Sequence, residues 1–263
     1  MGEVIVVTSG KGGVGKTTTS ANLGTGLAQL GHRVALVDTD IGLRNLDVVL
    51  GLENRIVYDI TDVTGGHCRL RQALIKDKRF DGLFLLPAAQ TKDKTAVSPE
   101  EMKTLCEDLS QEFDYVIIDC PAGIEQGFRN AIAGAHRAIV VTTPEVSAVR
   151  DADRIVGLLE AAELRDPRLI INRVRPKMVA AGDMMSIEDI LDILAVDLLG
   201  VVPEDEMVII TTNRGEAVVQ EDRSRSGMAF RNIVRRITGE QVPLLDLEEN
   251  GLFSKFRRFM GLK

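Results

Sequence analysis

The residues best equipped for chemistry come within the first twenty, in Gly10-Lys11-Gly12-Gly13-Val14-Gly15-Lys16-Thr17-Thr18, which follows the apolar run Val4-Ile5-Val6-Val7 directly. An apolar run that feeds a glycine-rich turn and then a helix is the setting in which G-x-x-x-x-G-K-[ST] binds phosphate. Exposed backbone N–H groups and the helix dipole attract phosphate oxygens. Gly10, Gly12, Gly13 and Gly15 let the chain close round a triphosphate. Lys16 would reach the β- and γ-phosphates, and the Thr17 hydroxyl would ligate Mg²⁺. A chance Lys-Thr after glycines is a poor alternative, because run, spacing and following helix all agree.

Carboxylates recur where such a site needs them. Asp38 and Asp40 close the second apolar run, and a carboxylate there can orient an attacking water or hold a magnesium-bound one. Either alone could simply cap the helix that follows. Asp119 ends the run Tyr115-Val116-Ile117-Ile118 and precedes Cys120-Pro121-Ala122-Gly123. That is the arrangement of a Walker B aspartate, which binds Mg²⁺ through water, with Gly123 giving the following loop freedom to sense a γ-phosphate. Asn172 closes Leu169-Ile170-Ile171. Its amide can pair with both adenine N6 and the neighbouring ring nitrogen, or serve as an ordinary turn residue.

Lys11 is a second lysine that the ordinary loop pattern does not require. With it, Lys11-Gly12-Gly13-Val14-Gly15-Lys16-Thr17 resembles the deviant phosphate loop of the MinD/ParA family of ATPases. Asp38-Thr39-Asp40-Ile41-Gly42-Leu43-Arg44-Asn45 and Asp119-Cys120-Pro121-Ala122-Gly123 are similar to that family's two switch regions. The resemblance covers nearly the whole chain and is strongest to the family's division-site branch. It implies ATP and Mg²⁺ as cofactors, with Lys11 touching the phosphates of the partner subunit's ATP. It implies further that Asp40 activates the hydrolytic water, that Asp38 supports the Mg²⁺ shell, and that Asn172 reads the base beside Pro203, Glu204 and Asp205. From the residues alone, a cation added beside a triphosphate is a stabiliser of the arginine-finger kind; a solvated loop lysine is the plainer alternative. The partners implied are a second copy in an ATP-dependent homodimer, an anionic membrane surface, the division inhibitor MinC and a topological regulator such as MinE. In the family the helix that starts near Ser147 contributes to the regulators' docking surface; its own charges, Arg150, Asp151, Asp153 and Arg154, read as a solvated face. Residues 61–78, with Gly65-Gly66-His67-Cys68, yield no functional reading.

The elements that must position these groups are legible as alternation. Apolar strand-like runs recur at 4–8, 34–38, 83–87, 115–119, 138–142, 169–172 and 198–202, with helix-length segments such as 17–30, 99–112, 147–162 and 187–195 between them. Strand and helix in turn mean right-handed crossovers and a mostly parallel sheet with helices on both faces. The fold expected is therefore α/β, a single-domain P-loop NTPase, with ligands at the carboxyl ends of the strands. With two tyrosines and no tryptophan in 263 residues, the core must be aliphatic, which suits parallel strands buried on both faces. A net charge of −7 argues against a general nucleic-acid binder, so no specific nucleic acid is expected. Cys68, Cys106 and Cys120 lack C-x-x-C spacing and suggest neither a disulfide framework nor a zinc site, in a reducing compartment. No apolar run is long enough to span a bilayer, no signal sequence opens the chain, and Val6 stands where a myristoylation pattern wants Ser or Thr.

The last segment is unusual for a chain end. Residues 251–263 hold three of the eight phenylalanines, and at about 100° per residue Leu252, Phe253, Phe256, Phe259 and Met260 share one face, flanked by Lys255, Arg257 and Arg258. This reads as an interfacial helix drawn to anionic lipid; a last helix docked on the core is the alternative. The division expected is an ATPase domain at 1–245 and a linker with a membrane-targeting helix at 246–263. The function expected is a Mg-ATP-dependent dimerising switch, cytoplasmic and peripheral on the inner face of the membrane, or in the equivalent plastid compartment. It would place the division site by recruiting the inhibitor. A ParA-like DNA partitioning ATPase would want a basic face, and a metabolic phosphotransferase would not need the tail. A dinucleotide dehydrogenase would want G-x-G-x-x-G, and a nitrogenase-type iron protein paired cluster cysteines.

Overall fold

The computed structural model describes residues 1–93 and 96–246. The amphipathic segment with Leu252, Phe253, Lys255, Phe256, Arg257, Arg258, Phe259 and Met260 lies outside them. Aliphatic residues in unbroken runs build the strands: β1 (Glu3–Thr8), β2 (Val34–Asp38), β3 (Ile75–Lys76), β4 (Leu83–Leu86), β5 (Tyr115–Asp119), β6 (Arg137–Thr142), β7 (Arg168–Val174) and β8 (Asp197–Pro203). They form one eight-stranded sheet in the order β3-β4-β2-β5-β1-β6-β7-β8. All neighbours are parallel except β3 with β4. The helices are α1 (Lys16–Gln29), α2 (Leu46–Leu50), α3 (Ile60–Thr64), α4 (Leu70–Ala73), α5 (Pro99–Glu112), α6 (Gln126–Ile132), α7 (Val146–Ala161), α8 (Pro176–Ala181), α9 (Ile187–Leu194), α10 (Glu206–Asn213) and α11 (Arg225–Ile237).

Neighbouring side chains of β1 point to opposite faces, and both faces are buried. Val4 and Val6 join a core with residues of α5, α6, α7 and α9, whereas Ile5 and Val7 join a second core with residues of α1, α2 and α11. This is why the strand runs carry no polar alternation. The seven expected strands are present within one or two residues. The eighth, β3, is two residues long, too short to carry a pattern, and adds an antiparallel edge. Helix α5 matches its expected bounds because its start is written locally: Pro99 opens it and Ser98 and Glu101 complete a capping box.

After α11 the chain turns back. Arg236 donates to the carbonyls of Leu199, Val242 and Pro243, and the Arg225 Nη2 donates to the Asp246 carbonyl at 2.9 Å. Residues 242–246 therefore run along the β8 edge from the end of α11 towards its beginning, and Leu245 packs on both cores. Among the described residues no helix is long and apolar enough to cross a membrane.

Candidate functional site

The order β2-β5-β1 sets three carboxyl ends side by side, and the sequence places chemistry on each. From β1 the chain enters the glycine loop, where Gly13 and Gly15 have φ of 81° and 96°. Gly15 is the left-handed N-cap of α1, so Lys16 and Thr17 are that helix's first residues, and Lys16 is buried. The N–H groups of this first turn are the unpaired donors that a helix offers to an anion.

Asp38 and Asp119 are register partners at the ends of β2 and β5, and both are buried. The Asp119 carboxylate accepts from the Ser20 hydroxyl at 2.9 Å and from Thr17. The Asp38 oxygens accept from the N–H groups of Asp40 at 2.9 Å and Leu46 at 3.2 Å. Thr39 ties the two strand ends by donating both its N–H and its hydroxyl to the Asp119 carbonyl. Burial, followed by the charge of Asp119, pushes the Asp38 carboxyl well above the usual carboxylate range, and burial does the same to Asp119 against the pull of Thr17, Ser20 and Lys16. Asp40, half-buried on the same loop, adds its charge to both.

The other expected residues surround this centre. Asn172 is buried, and its Nδ2 donates to the Val14 carbonyl at 2.8 Å, which fastens the end of β7 to the phosphate loop. Lys11 is held at the rim, where its Nζ lies 3.1 Å from the Ser147 hydroxyl and 3.4 Å from Glu145 Oε2. Pro203 ends β8, Glu204 pairs with Arg175 at 2.9 Å, and Asp205 caps α10 through the Met207 N–H. Burial alone would raise the Asp205 carboxyl; hydrogen bonds from Ser224 and from the N–H groups of Met207, Ser226 and Arg225 outweigh it and hold the group low. Sequence reasoning missed Ser20, although its place one helical turn after Lys16 was a usable signal. It also missed the contacts of Glu145 and Ser147 with Lys11, for which no local signal exists.

A divalent cation fits this donor set. Two buried carboxylates with raised pKa values and the Thr17 hydroxyl are hard oxygen ligands with unmet demand for positive charge. Among the described residues no group of three or more His, Cys, Asp or Glu is arranged to hold a metal alone. Mg²⁺, which keeps water and phosphate oxygens in its shell, suits so sparse a set.

A glycine cradle at a helix start, a buried lysine, a threonine hydroxyl and two strand-end carboxylates define a phosphate-loop nucleotide-binding ATPase. Residues 5–218 match the family model of the CobQ/CobB/MinD/ParA nucleotide binding domain. The chain is 62% identical to the septum site-determining protein MinD of Bacillus subtilis, with all of both chains covered. It is similar to the MinC:MinD cell division protein complex of Aquifex aeolicus, at a TM-score of 0.87 and 48% identity over 93% of this chain and 99% of that one. It is also similar to the septum site-determining protein of Pyrococcus horikoshii complexed with Mg-ADP, at a TM-score of 0.82 and 31% identity over 90% of this chain and 96% of that one. The chain belongs to the MinD/ParA family of nucleotide-binding ATPases.

Proposed function

We propose that the protein is a Mg-ATP-dependent dimerising switch that binds the membrane reversibly through residues 246–263 and places the division site by recruiting a division inhibitor of the MinC kind. The observation that carries the reading is the divided use of the two lysines. Lys16 is buried beside Asp119, whereas Lys11 sits at the rim among groups of the β6–α7 connection. A lysine so placed can serve a neighbouring molecule's phosphates. The carboxyl edge also carries exposed apolar side chains after β2, β5 and β6, namely Leu43, Ile124 and Val146, which suits a face meant to be covered by a second copy. The inhibitor enters by likeness to the Aquifex complex with MinC, and a regulator such as MinE by the resemblance alone.

Bound ATP with Mg²⁺ supplies the anhydride to be cleaved and the charge that balances the carboxylates. Lys16 and the first N–H groups of α1 would hold phosphate oxygens, Thr17 and Asp119 with Asp38 would hold the ion and its water, and Ser20 keeps Asp119 in place. Asp40 orients the attacking water and takes its proton at the carboxylate. Asn172 spends one N–H on Val14, which leaves its Oδ1 and second N–H for the base, beside Pro203, Glu204 and Asp205. Two tails in one dimer raise the effective concentration of the second attachment, so avidity can exceed either affinity by about 10²–10⁴. On this reading the protein is peripheral on the inner face of the cell membrane, or in the equivalent plastid compartment.

The test is co-sedimentation with anionic vesicles in ATP, in ADP and without nucleotide. The ATP form should pellet far more, high salt should weaken it by screening Lys255, Arg257 and Arg258, and Phe256→Glu should abolish pelleting with nucleotide binding intact. ATP-dependent pelleting of Phe256→Glu at the original level would remove the tail from this role.

A further inference from the structure

Two helices that begin at the site end against each other. Helix α2 starts on the Asp38 carboxylate, which accepts the Leu46 N–H at 3.2 Å, and α10 starts on Asp205, which accepts the Met207 N–H at 2.9 Å. These carboxylates follow β2 and β8, which stand five places apart in the sheet, about 24 Å at the usual strand spacing. At a rise of about 1.5 Å per residue, α2 and α10 are about 7.5 and about 12 Å long, enough to join the two points. Their far ends meet at Gly51 and Gly215, both left-handed, and a Cβ on Gly215 would stand 2.5 Å from the Gly51 Cα.

One side chain fastens this junction. Arg79 donates from Nη2 to the carbonyl of Leu50, the last residue of α2, at 2.9 Å. From Nη1 it donates to the Gly215 carbonyl, just past α10, at 2.8 Å. The buried Asp77 holds the guanidinium in turn: its Oδ2 accepts from Nη2 at 3.1 Å, and its Oδ1 accepts the N–H groups of Arg79 at 2.6 Å and Phe80 at 3.2 Å. Carbonyls at a helix end have no partner within the helix, and a planar guanidinium can serve two of them at once. With α2 held at its far end, a pull on Asp38 has to be taken up by residues 39–45. That loop carries Asp40, and it includes two residues of positive φ, Gly42 at 97° and Arg44 at 38°.

We infer that Arg79 is a positioning residue for hydrolysis: by capping α2 and α10 together it fixes the far end of α2 and so sets where the loop presents Asp40. The role rests on Asp40 orienting the water, as proposed above. It is exerted at a distance, since the bonded partners of Arg79, namely Asp77, Leu50 and Gly215, are none of the residues assigned to phosphate, ion or base.

Arg79→Met keeps the aliphatic stem and removes the fork. Arg79→Lys, which keeps a cation beside the buried Asp77 but lacks the planar fork, is the second variant should the first not fold. Either should bind ATP as the original protein does, because the phosphate loop is untouched. Single-turnover hydrolysis should fall by about 10²-fold, the scale for a catalytic group displaced by about 1 Å. Introduced into Asp40→Ala, the same change should have no further effect on the rate. In the nucleotide-free protein, amide exchange should quicken in residues 39–51 and 206–216 and stay unchanged in α1 and α5. An unaltered rate overturns the assignment. So does an equal further loss in the Asp40→Ala protein, or exchange that quickens throughout the chain, either of which makes Arg79 a general support of the fold, and so does exchange that quickens in neither segment. Full turnover in Asp40→Ala itself would instead remove Asp40 from the reading above, and exchange in 39–51 then decides alone whether Arg79 holds the loop.

Discussion

At Gly15 a left-handed backbone coincides with the close approach of a side chain, and three substitutions separate the two demands. The Gly15 φ of 96° is left-handed, and a Cβ there would stand 2.3 Å from Asn172 Nδ2. Gly13 has a φ of 81° but open space where its Cβ would be. Gly13→Ala should therefore cost the left-handed penalty alone, about 1–2 kcal/mol. Gly15→Ala adds the displacement of the Asn172 amide from the Val14 carbonyl, a bond with a net value of about 0.5–1.5 kcal/mol, for a total of about 2–3 kcal/mol. Asn172→Ala removes that bond by itself. In Gly15→Ala/Asn172→Ala the overlap has gone and the bond can be lost only once, so the double variant should be less damaged than the sum of the singles by about 1 kcal/mol. Urea midpoints of the nucleotide-free proteins, followed by far-UV circular dichroism with unchanged transition slopes, measure all four. Equal effects of Gly13→Ala and Gly15→Ala, or strict additivity in the double variant, would refute the claim that Asn172 is seated against the loop.

Three further outcomes follow from the site. Lys16→Ala should abolish nucleotide binding, whereas Lys11→Ala should bind nucleotide yet dimerise and hydrolyse poorly; normal ATP-dependent light scattering and turnover in Lys11→Ala would return Lys11 to the status of a rim lysine. Asp40→Ala should retain ATP and lose the chemical step by about 10²–10⁴-fold, the range for a positioned base, and unchanged single-turnover kinetics would shift the role to Asp38. The raised carboxyls of Asp38 and Asp119, at about 7 and about 6, predict a sign for pH. A folded state that holds these protons more tightly than the unfolded chain is favoured at low pH, and that contribution is lost as pH rises through those values. Asp38→Asn should thus raise the nucleotide-free melting midpoint more at pH 8 than at pH 5, and an equal gain at both would count against the shift.

Legibility in the sequence divides along the distance over which each feature is decided. The aliphatic runs at 34–38 and 115–119, the capping box of Ser98 and Glu101 and the glycine loop are local statements, so their elements and even some bounds could be read directly. Asp38 and Asp119 could be placed at strand ends, but their pairing needed β5 to insert between β1 and β2. The contacts of Asn172 with Val14 and of Lys11 with Ser147 join residues 158 and 136 positions apart. No composition or period encodes such contacts. The bonds of Arg79 to Leu50 and Gly215 join segments 29 and 136 positions away and left no trace in any one of them.

What the sequence could least express is the electrostatic state of the centre, since it arises from burial. Two carboxylates side by side under a helix start are unfavourable without a counter-ion, and the chain retains them with only partial relief: Ser20 and Thr17 on Asp119, two backbone N–H groups on Asp38, and Lys16 near by. Apolar replacements would fold more easily. On the proposed reading, a cation arriving with its phosphates would meet this unmet charge and gain what the fold forgoes. Asp38 carries that gain outward, because its second oxygen holds the first N–H of α2, and the loop between them contains Asp40 and Arg44. A cation that draws on Asp38 must therefore alter the bond that seats α2. The loop expected to act as a switch is thus tied by one carboxylate to the charge that the proposed function would have it sense.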